Sequence, residues 1–323
     1  MDEFFRWDFA DNLIFFHDML QSHQQVQLLI LWEFIGCPFE DKKLEHGNCL
    51  KIIGFWVDAN CGSISLTHDS ITNVISCVND FLNHPDHCLI LRDWQRLGGH
   101  LNWLLNVLCW GHPALSEMYW KMGGKNFSGR GIFINHEVRE ELTWLTDVIP
   151  QSIGVRFVDS MHWTDDAVDM VLWTDASLKL ALSFCYAGNG FVYQLCPCPS
   201  HITIDIFFLE LVAILSGIRH VASFNHPPCC LLVWTDSLDA VGVLNTLSTS
   251  TALHNVPLRA ISEVILTSGL NLWVLHIPGK DNICANLLSC LLFDEYQQKY
   301  PSDCICTFTP PRELLPARWR ECF

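Results

Sequence analysis

A chain of 323 residues is longer than one ordinary domain and leaves room for two or three. Half of it is apolar and only 17% is charged, which excludes a disordered chain. The net charge of −16, from 35 acids against 19 bases, excludes a protein that holds nucleic acid by bulk electrostatics, so any such contact must be local. The 16 Cys and 15 His outnumber 11 Arg, a balance that needs an explanation. The Cys could form disulfides, bind zinc or be bystanders. No signal-peptide pattern opens the chain, where Arg6, Asp8, Asp11 and Asp18 break every apolar run, so an intracellular protein with reduced thiols is expected. No Cys-x-x-Cys pair occurs, which counts against a zinc site. The uncharged run Leu97 to Ser116 is too polar to span a bilayer, and no membrane partner is expected.

The first forty residues alternate apolar clusters with acids and read mainly as helix, followed by a polar turn over Glu40 to Gly47. Leu50 to Asp58 and Ser63 to Leu66 flank a Gly-bearing turn and predict a hairpin. From Asp69 the spacing Ile71, Val74, Ile75, Val78, Phe81, Leu82 is helical and breaks at Pro85. Further helices are predicted over 91–108 and from Asn135 to Ile149, the last stopped by Pro150. From Val155 the pattern changes to strands, which places a domain boundary near residue 150.

Val168 to Trp173, Leu180 to Ala187 and Phe191 to Leu195 read as three strands, the last two joined by Gly188-Asn189-Gly190. A helix over Asp205 to Phe224, a strand over Leu231 to Trp234 and two helical stretches between Leu238 and Leu266 follow. A strand over Leu270 to Ile277 precedes a helix over Lys280 to Phe293, capped by Asp281. The order βββαβαβα predicts an α/β fold with a mixed sheet flanked by helices, its crossover strands parallel. His276, beside a Pro-Gly turn, reads as structural.

Two strands end in near-copies, LWTDAS at Leu172 to Ser177 and VWTDSL at Val233 to Leu238. An acid at the carboxyl end of a central strand points into the crevice where α/β sheets bind ligands, although each Asp could instead cap the following segment. Glu210 has Ile206, Phe207, Ala213 and Ile214 one turn away and no Lys or Arg to pair with it. A carboxylate on the apolar face of a core helix is expensive unless it is paired or binds a metal. Asp175, Glu210 and Asp236 are therefore expected to converge on hard divalent cations, Mg2+ or Mn2+, in a site suited to in-line phosphoryl chemistry.

TDAS, the FLELVAIL helix, TDS and HIPGKDNICANLLSCLL together resemble the ribonuclease H domain of retrotransposon reverse transcriptases over about residues 168–293. That family's last helix usually reads His-x-x-Gly-x-x-Asn-x-x-Ala-Asp-x-Leu-Ser-Arg. The resemblance implies metal-binding carboxylates at Asp175, Glu210 and Asp236, and it places the fourth catalytic position on Asn286 and the motif's Arg on Cys290. LKIIGFWVD resembles the hairpin after the polymerase palm, and residues 93–119 resemble a helical thumb or connection segment. The implied organisation is a palm-end remnant over 1–66, a thumb-like segment over 67–150, a ribonuclease H-like domain over 151–293 and a tail over 294–323. The mainly helical N-terminal part is then a reverse-transcriptase remnant. The tyrosine-x-Asp-Asp polymerase signature is absent, and Trp163 to Asp166, which mimics it, falls after the thumb-like segment and reads as a solvated linker. No polymerase activity is expected.

The implied partner is an RNA–DNA hybrid or other nucleic acid, cleaved in a metal-dependent reaction; the sequence gives no oligomeric state. A neutral Asn286 removes one negative charge from the site, which keeps open a non-catalytic nucleic-acid-binding or structural relic. An integrase-like transferase shares the sheet and acids but fits GKDNICANLLS poorly. The tail's bases, Arg312, Arg318 and Arg320, could touch phosphate, while packing of Trp319 back on the domain is the plainer expectation. Arg codons beginning CG become Cys, Trp, His or Gln codons on cytosine deamination, and the same transition turns Asp into Asn. Cys290, Asn286, Cys304, Cys306 and His112 are thus expected to record decay of a transposon copy. Sequencing related copies tests this: they should carry Arg codons beginning CG at the positions of Cys290, Cys304, Cys306 and His112 and an Asp codon at Asn286, and Cys, His and Asn throughout the related copies would remove the idea.

Overall fold

The computed structural model describes residues 48–127, 129–156, 168–196 and 204–314, apart from Ile53, Ala59 and Cys61, together with five positions between 30 and 36. Most of the expected helix before residue 40, the turn after it, the Trp163 to Asp166 linker and the tail beyond 314 lie outside the described residues. Two compact units emerge, one of residues 1–71 and 154–161 and the other of residues 72–153 and 162–323.

In the first unit β1 (Cys49–Ile52), β2 (Phe55–Asp58), β3 (Ser63–Leu66) and β6 (Val155–Arg156) form an antiparallel sheet in that order. The sequence predicts one hairpin here. Gly54, at φ 87°, turns the first run back on itself and divides it into β1 and β2.

The second unit begins with the helices α1 (His68–Leu82, from Thr72), α2 (Leu91–Leu105), α3 (Ser116–Met122) and α4 (His136–Val148), with a 3-10 turn over Cys109–Leu115. A short ladder joins β4 (Cys88–Ile90) to β5 (Gly131–Phe133). Asn135 caps α4 by accepting from Val138 N at 3.3 Å. Trp94 is wholly buried and meets Phe81 edge-on at 5.0 Å.

The larger sheet runs β11-β10-β7-β8-β9-β12, from β7 (Met170–Ala176), β8 (Ala181–Tyr186), β9 (Asn189–Gln194), β10 (Cys230–Thr235), β11 (Asn271–His276) and β12 (Cys304–Thr307). β7, β8 and β9 are antiparallel, while β10 is parallel to both β7 and β11. The chain is thus α/β with a six-stranded mixed sheet flanked by helices. Every residue from Ala181 to Cys185 is buried, because both faces of β8 are covered. Leu182 and Phe184 meet α5 (Ile206–Ala222), whose Leu211, Ile214, Leu215 and Ile218 are fully buried. Cys185 meets Ala285 and Leu288 of α8 (Ile283–Ser289) on the opposite face. Each wholly buried aliphatic side chain of this kind contributes roughly 1.5–3 kcal/mol.

α6 (Leu238–Thr246) and α7 (Ala252–Ser268) complete the crossover between β10 and β11. Asp205 caps α5 at Phe208 N, 2.9 Å away, and also lies 2.9 Å from His254 Nε2, which ties the start of α5 to α7. The sequence predicts one helix over Lys280 to Phe293 capped by Asp281. Instead the helix begins after Asn282, ends at Ser289 and breaks at Leu291, whose φ is 59°, before α9 (Phe293–Lys299). Residues 294–314, expected to belong to a tail, carry most of α9 and then β12, which pairs in parallel with β9 from Cys304↔Asn189 to Thr307↔Val192. Tyr296 is fully buried against Leu288 and donates to Asp303 Oδ2 at 2.9 Å, so α9 belongs to the core. His276 is exposed at the end of β11.

Segments 67–150 and 151–293, read separately from the sequence, share the second unit apart from residues 67–71 and 154–161. A buried polar network joins them. Glu141 of α4 accepts from Asn255 Nδ2 of α7 at 2.6 Å and from Glu117 N at 2.9 Å, and Asn255 also donates to Pro113 O at 3.0 Å. Burial raises the Glu141 carboxyl to about 7, against the opposing pull of Glu117 N, Arg259 and Asn255. An acid whose pKa rises on folding destabilises the folded state once pH exceeds the unfolded value, so the penalty grows between about 4.5 and about 7 and is constant above. Glu141→Gln should therefore gain roughly 3 kcal/mol on the native protein across that window, from about 1.4 kcal/mol per pKa unit. Urea unfolding of both proteins at several pH values measures it, and parallel stability curves would show that Glu141 titrates normally.

Candidate metal centre

The pairing of β7 with β10 sets the site. The two strands are parallel with Trp173 opposite Trp234, so Asp175 and Asp236, each two residues further on, reach the same level at adjacent carboxyl ends. Side chains alternate along a strand, which puts each Asp on the face of its own Trp. The duplicated Trp-Thr-Asp frame is the sequence trace of this register. Glu210 arrives from α5, and its Oε1 accepts from Ala176 N at 3.2 Å. One carboxylate oxygen each from Asp175, Glu210 and Asp236 lies within 4.8 Å of the others.

Asp175 and Glu210 are 4% exposed, and Asp236 is half-buried. Burial raises Asp175 to about 7, with the charge of Asp236 adding to the shift and the Ser289 hydroxyl opposing it. Glu210 is pushed to about 9 by burial, then by the charges of Asp175 and Asp236, against a single stabilising N–H from Ala176. Glu210 Oε2 is buried with no hydrogen-bond partner among the described residues. Three carboxylates with one orphaned oxygen, and no Lys or Arg lining the cleft, are a donor set for hard divalent cations.

The fourth sequence-predicted residue, Asn286, lines the same cleft of about 380 Å³, within the range of small-ligand sites. Cys290, on the position of the motif's Arg, lines it as well. All four candidates are thus brought together. Three supporting residues carry no role in the sequence analysis. Ser289 Oγ donates to Asp175 Oδ2 and is wholly buried. Its spacing of three from Asn286 on one helix was the available signal. Asn282, also wholly buried, donates from Nδ2 to Thr174 O at 2.9 Å and makes no side-chain cap for α8. Ser183 Oγ, directly opposite Asp175 on β8, donates to Ala285 O at 2.8 Å. These three contacts fasten α8 to β7, which carries Asp175, and to its neighbour β8. Gly279 is needed beside Asp236, because a Cβ there would stand 2.9 Å from Asp236 Oδ2.

No family model and no curated protein matches the chain. Among the described residues no helix is long and apolar enough to cross a membrane.

Millimolar Mg2+ or Mn2+ should stabilise the protein, by about 2.7 kcal/mol at a concentration one hundred times its dissociation constant. Glu210→Gln preserves the acceptor for Ala176 N and removes one ligand charge. Its metal-free stability should exceed the parent's above about pH 4.5, because the buried carboxyl that folding holds protonated is gone, while the response to cations is largely lost. Thermal unfolding with and without EDTA reads both quantities, and an undiminished response in the variant would place the cations elsewhere.

Proposed function

We propose that the carboxylate centre hydrolyses the RNA strand of an RNA–DNA hybrid, in the manner of the ribonuclease H domain of retrotransposon reverse transcriptases. The observation that carries this reading is the meeting of Asp175, Glu210 and Asp236 within 4.8 Å, in a cleft that Asn286 also lines. Motif positions on two strand ends and two helices, separated by up to 111 residues, converge on one place. The mixed sheet with parallel crossover strands is the fold class the resemblance implies.

Bound divalent cations supply Lewis-acid activation and compensation of the charge on the phosphate. The chain's own part is to hold their ligands still. Ser289 orients Asp175, the Ala176 amide fixes one oxygen of Glu210 and leaves the other facing the cluster, and Asn282 and Ser183 anchor α8 to β7 and β8. Asn286 contributes an amide carbonyl in place of the carboxylate in the resembled motif, which lowers the ligand charge by one. RNA is distinguished from DNA through the ribose 2′-hydroxyl, and the duplex is held by its backbone.

Asn286 favours a second reading, a non-catalytic relic that keeps the fold and the cleft. An end-labelled RNA–DNA hybrid separates the two. The native protein should cut it slowly with Mg2+ or Mn2+, lose all cutting in EDTA or as Asp175→Asn, and gain about tenfold or more as Asn286→Asp because of the restored ligand charge. A hybrid left intact by the native protein and cut by Asn286→Asp would establish the relic reading. Two inert proteins that also fail to bind hybrid would remove both.

A further inference from the structure

Residues 88–133 contain five bases, Arg92, Arg96, Lys121, Lys125 and Arg130, against two acids, Asp93 and Glu117. Five minus two gives +3, inside a chain of −16. Both acids are engaged: Asp93 lies 3.5 Å from Arg96, and Glu117 accepts from Asn135 Nδ2 at 2.8 Å. No carboxylate among the described residues pairs with Arg92, Arg130, Lys121 or Lys125. The same segment exposes large aromatic side chains, Trp120 at 69%, Phe127 at 72% and Phe133 at 68%.

Short contacts link these groups along the chain. β5 pairs with β4, and Leu91 N donates to Arg130 O at 2.9 Å, which sets Arg130 beside the first turn of α2 and Arg92. Arg130 N in turn donates to Phe127 O at 3.0 Å. The far end of α3 rests on α2, since a Cβ on Gly98 would meet Met118 Sδ and Met122 Cε at 3.6 Å. Six residues of helix separate Arg92 from Gly98, roughly 9 Å. Lys121 Nζ lies 5.8 Å from the centre of the Trp120 ring. It holds its charge over one side of an indole whose residue remains largely exposed.

Unpaired cations among exposed aromatic rings suit a ligand that offers both negative charge and flat apolar faces. An acidic peptide offers only the first, and a nucleic-acid duplex keeps its base faces stacked on one another. We propose that this surface binds single-stranded nucleic acid, with bases stacked on Trp120 and Phe127 and phosphates held by Arg92, Arg130 and Lys121. The site is separate from the carboxylate centre and does not depend on hydrolysis there.

The test uses the full chain in EDTA, which keeps divalent cations off the carboxylates, and fluorescein-labelled 20-nucleotide oligothymidine and oligouridine read by anisotropy between 50 and 200 mM salt. Both oligonucleotides should bind, since stacking tolerates either sugar. Trp120→Ala and Phe127→Ala, at positions too exposed to support the core, should each weaken binding about fivefold or more. Arg92→Gln combined with Arg130→Gln should reduce the slope of log affinity against log salt by about 1.4, from about 0.7 per phosphate contact. Absence of binding at 50 mM salt, indifference to both aromatic replacements, or displacement by polyglutamate as readily as by unlabelled oligonucleotide at equal charge would each overturn the proposal. The last result would instead mark a surface for an acidic protein segment.

Discussion

The parallel pairing of β7 with β10 is the constraint on which the rest of the second unit depends. Parallel strands require a crossover, and the chain supplies one crossover from β9 through α5 to β10 and another through α6 and α7 to β11. The register Trp173 to Trp234 then leaves no freedom in the height of Asp175 against Asp236. A slip of one residue would turn one aspartate to the other face of the sheet, under α5, where Leu172, Leu211 and Val233 leave no polar partner. Apolar packing thus specifies a polar site: the side chains that fix the register are not the acids gathered at the candidate centre.

That arrangement carries a cost, visible at Glu210. Its helix is nearly all buried, so the carboxyl enters the centre with one backbone amide as its hydrogen-bond donor and a second oxygen without any. Burial and like charge both favour the protonated acid. The fold tolerates this because the surrounding apolar contacts are many and because α8 is fastened independently, by Asn282 to the β7 backbone and by Ser289 to Asp175. A half-satisfied buried carboxyl cluster is strain stored at a site, the kind of local inconsistency that marks function more often than it marks poor packing.

Much of this was legible in the sequence because it was written in periodicity and repetition. The strands from Met170 to Gln194 show as apolar runs around Gly188-Asn189-Gly190, and the twin Trp-Thr-Asp frames gave two of the acids. Glu210 was legible because a lone acid in FLELVAIL contradicts its surroundings. What escaped was decided by contacts distant in sequence. A single φ of 59° at Leu291 divides one helical pattern into two helices, and no residue type announced it. β12 is a four-residue edge strand, CICT, too short to stand out until β9 is there to pair with it. The buried pairing of Glu141 with Asn255, 114 residues apart, has no local signal at all, and it joins Trp144 Nε1 to Glu263 Oε2 in holding the helices of 72–153 against α7.

The distribution of charge adds a final step. A chain of −16 repels polyanions at long range, and the carboxylate centre adds to that repulsion unless cations occupy it. A polyanionic substrate can then approach only where the field is locally reversed. Among the described residues that reversal is concentrated in 88–133, outside the cleft and beside exposed aromatic rings. Recognition and chemistry are therefore expected to occupy different surfaces of the second unit, the first drawing the strand in by local charge and stacking, the second acting only where cations offset its acids. Cys290, where the resembled motif has Arg, lines the cleft and adds no positive charge there, while Arg92, Arg96 and Arg130 lie in the segment 88–133.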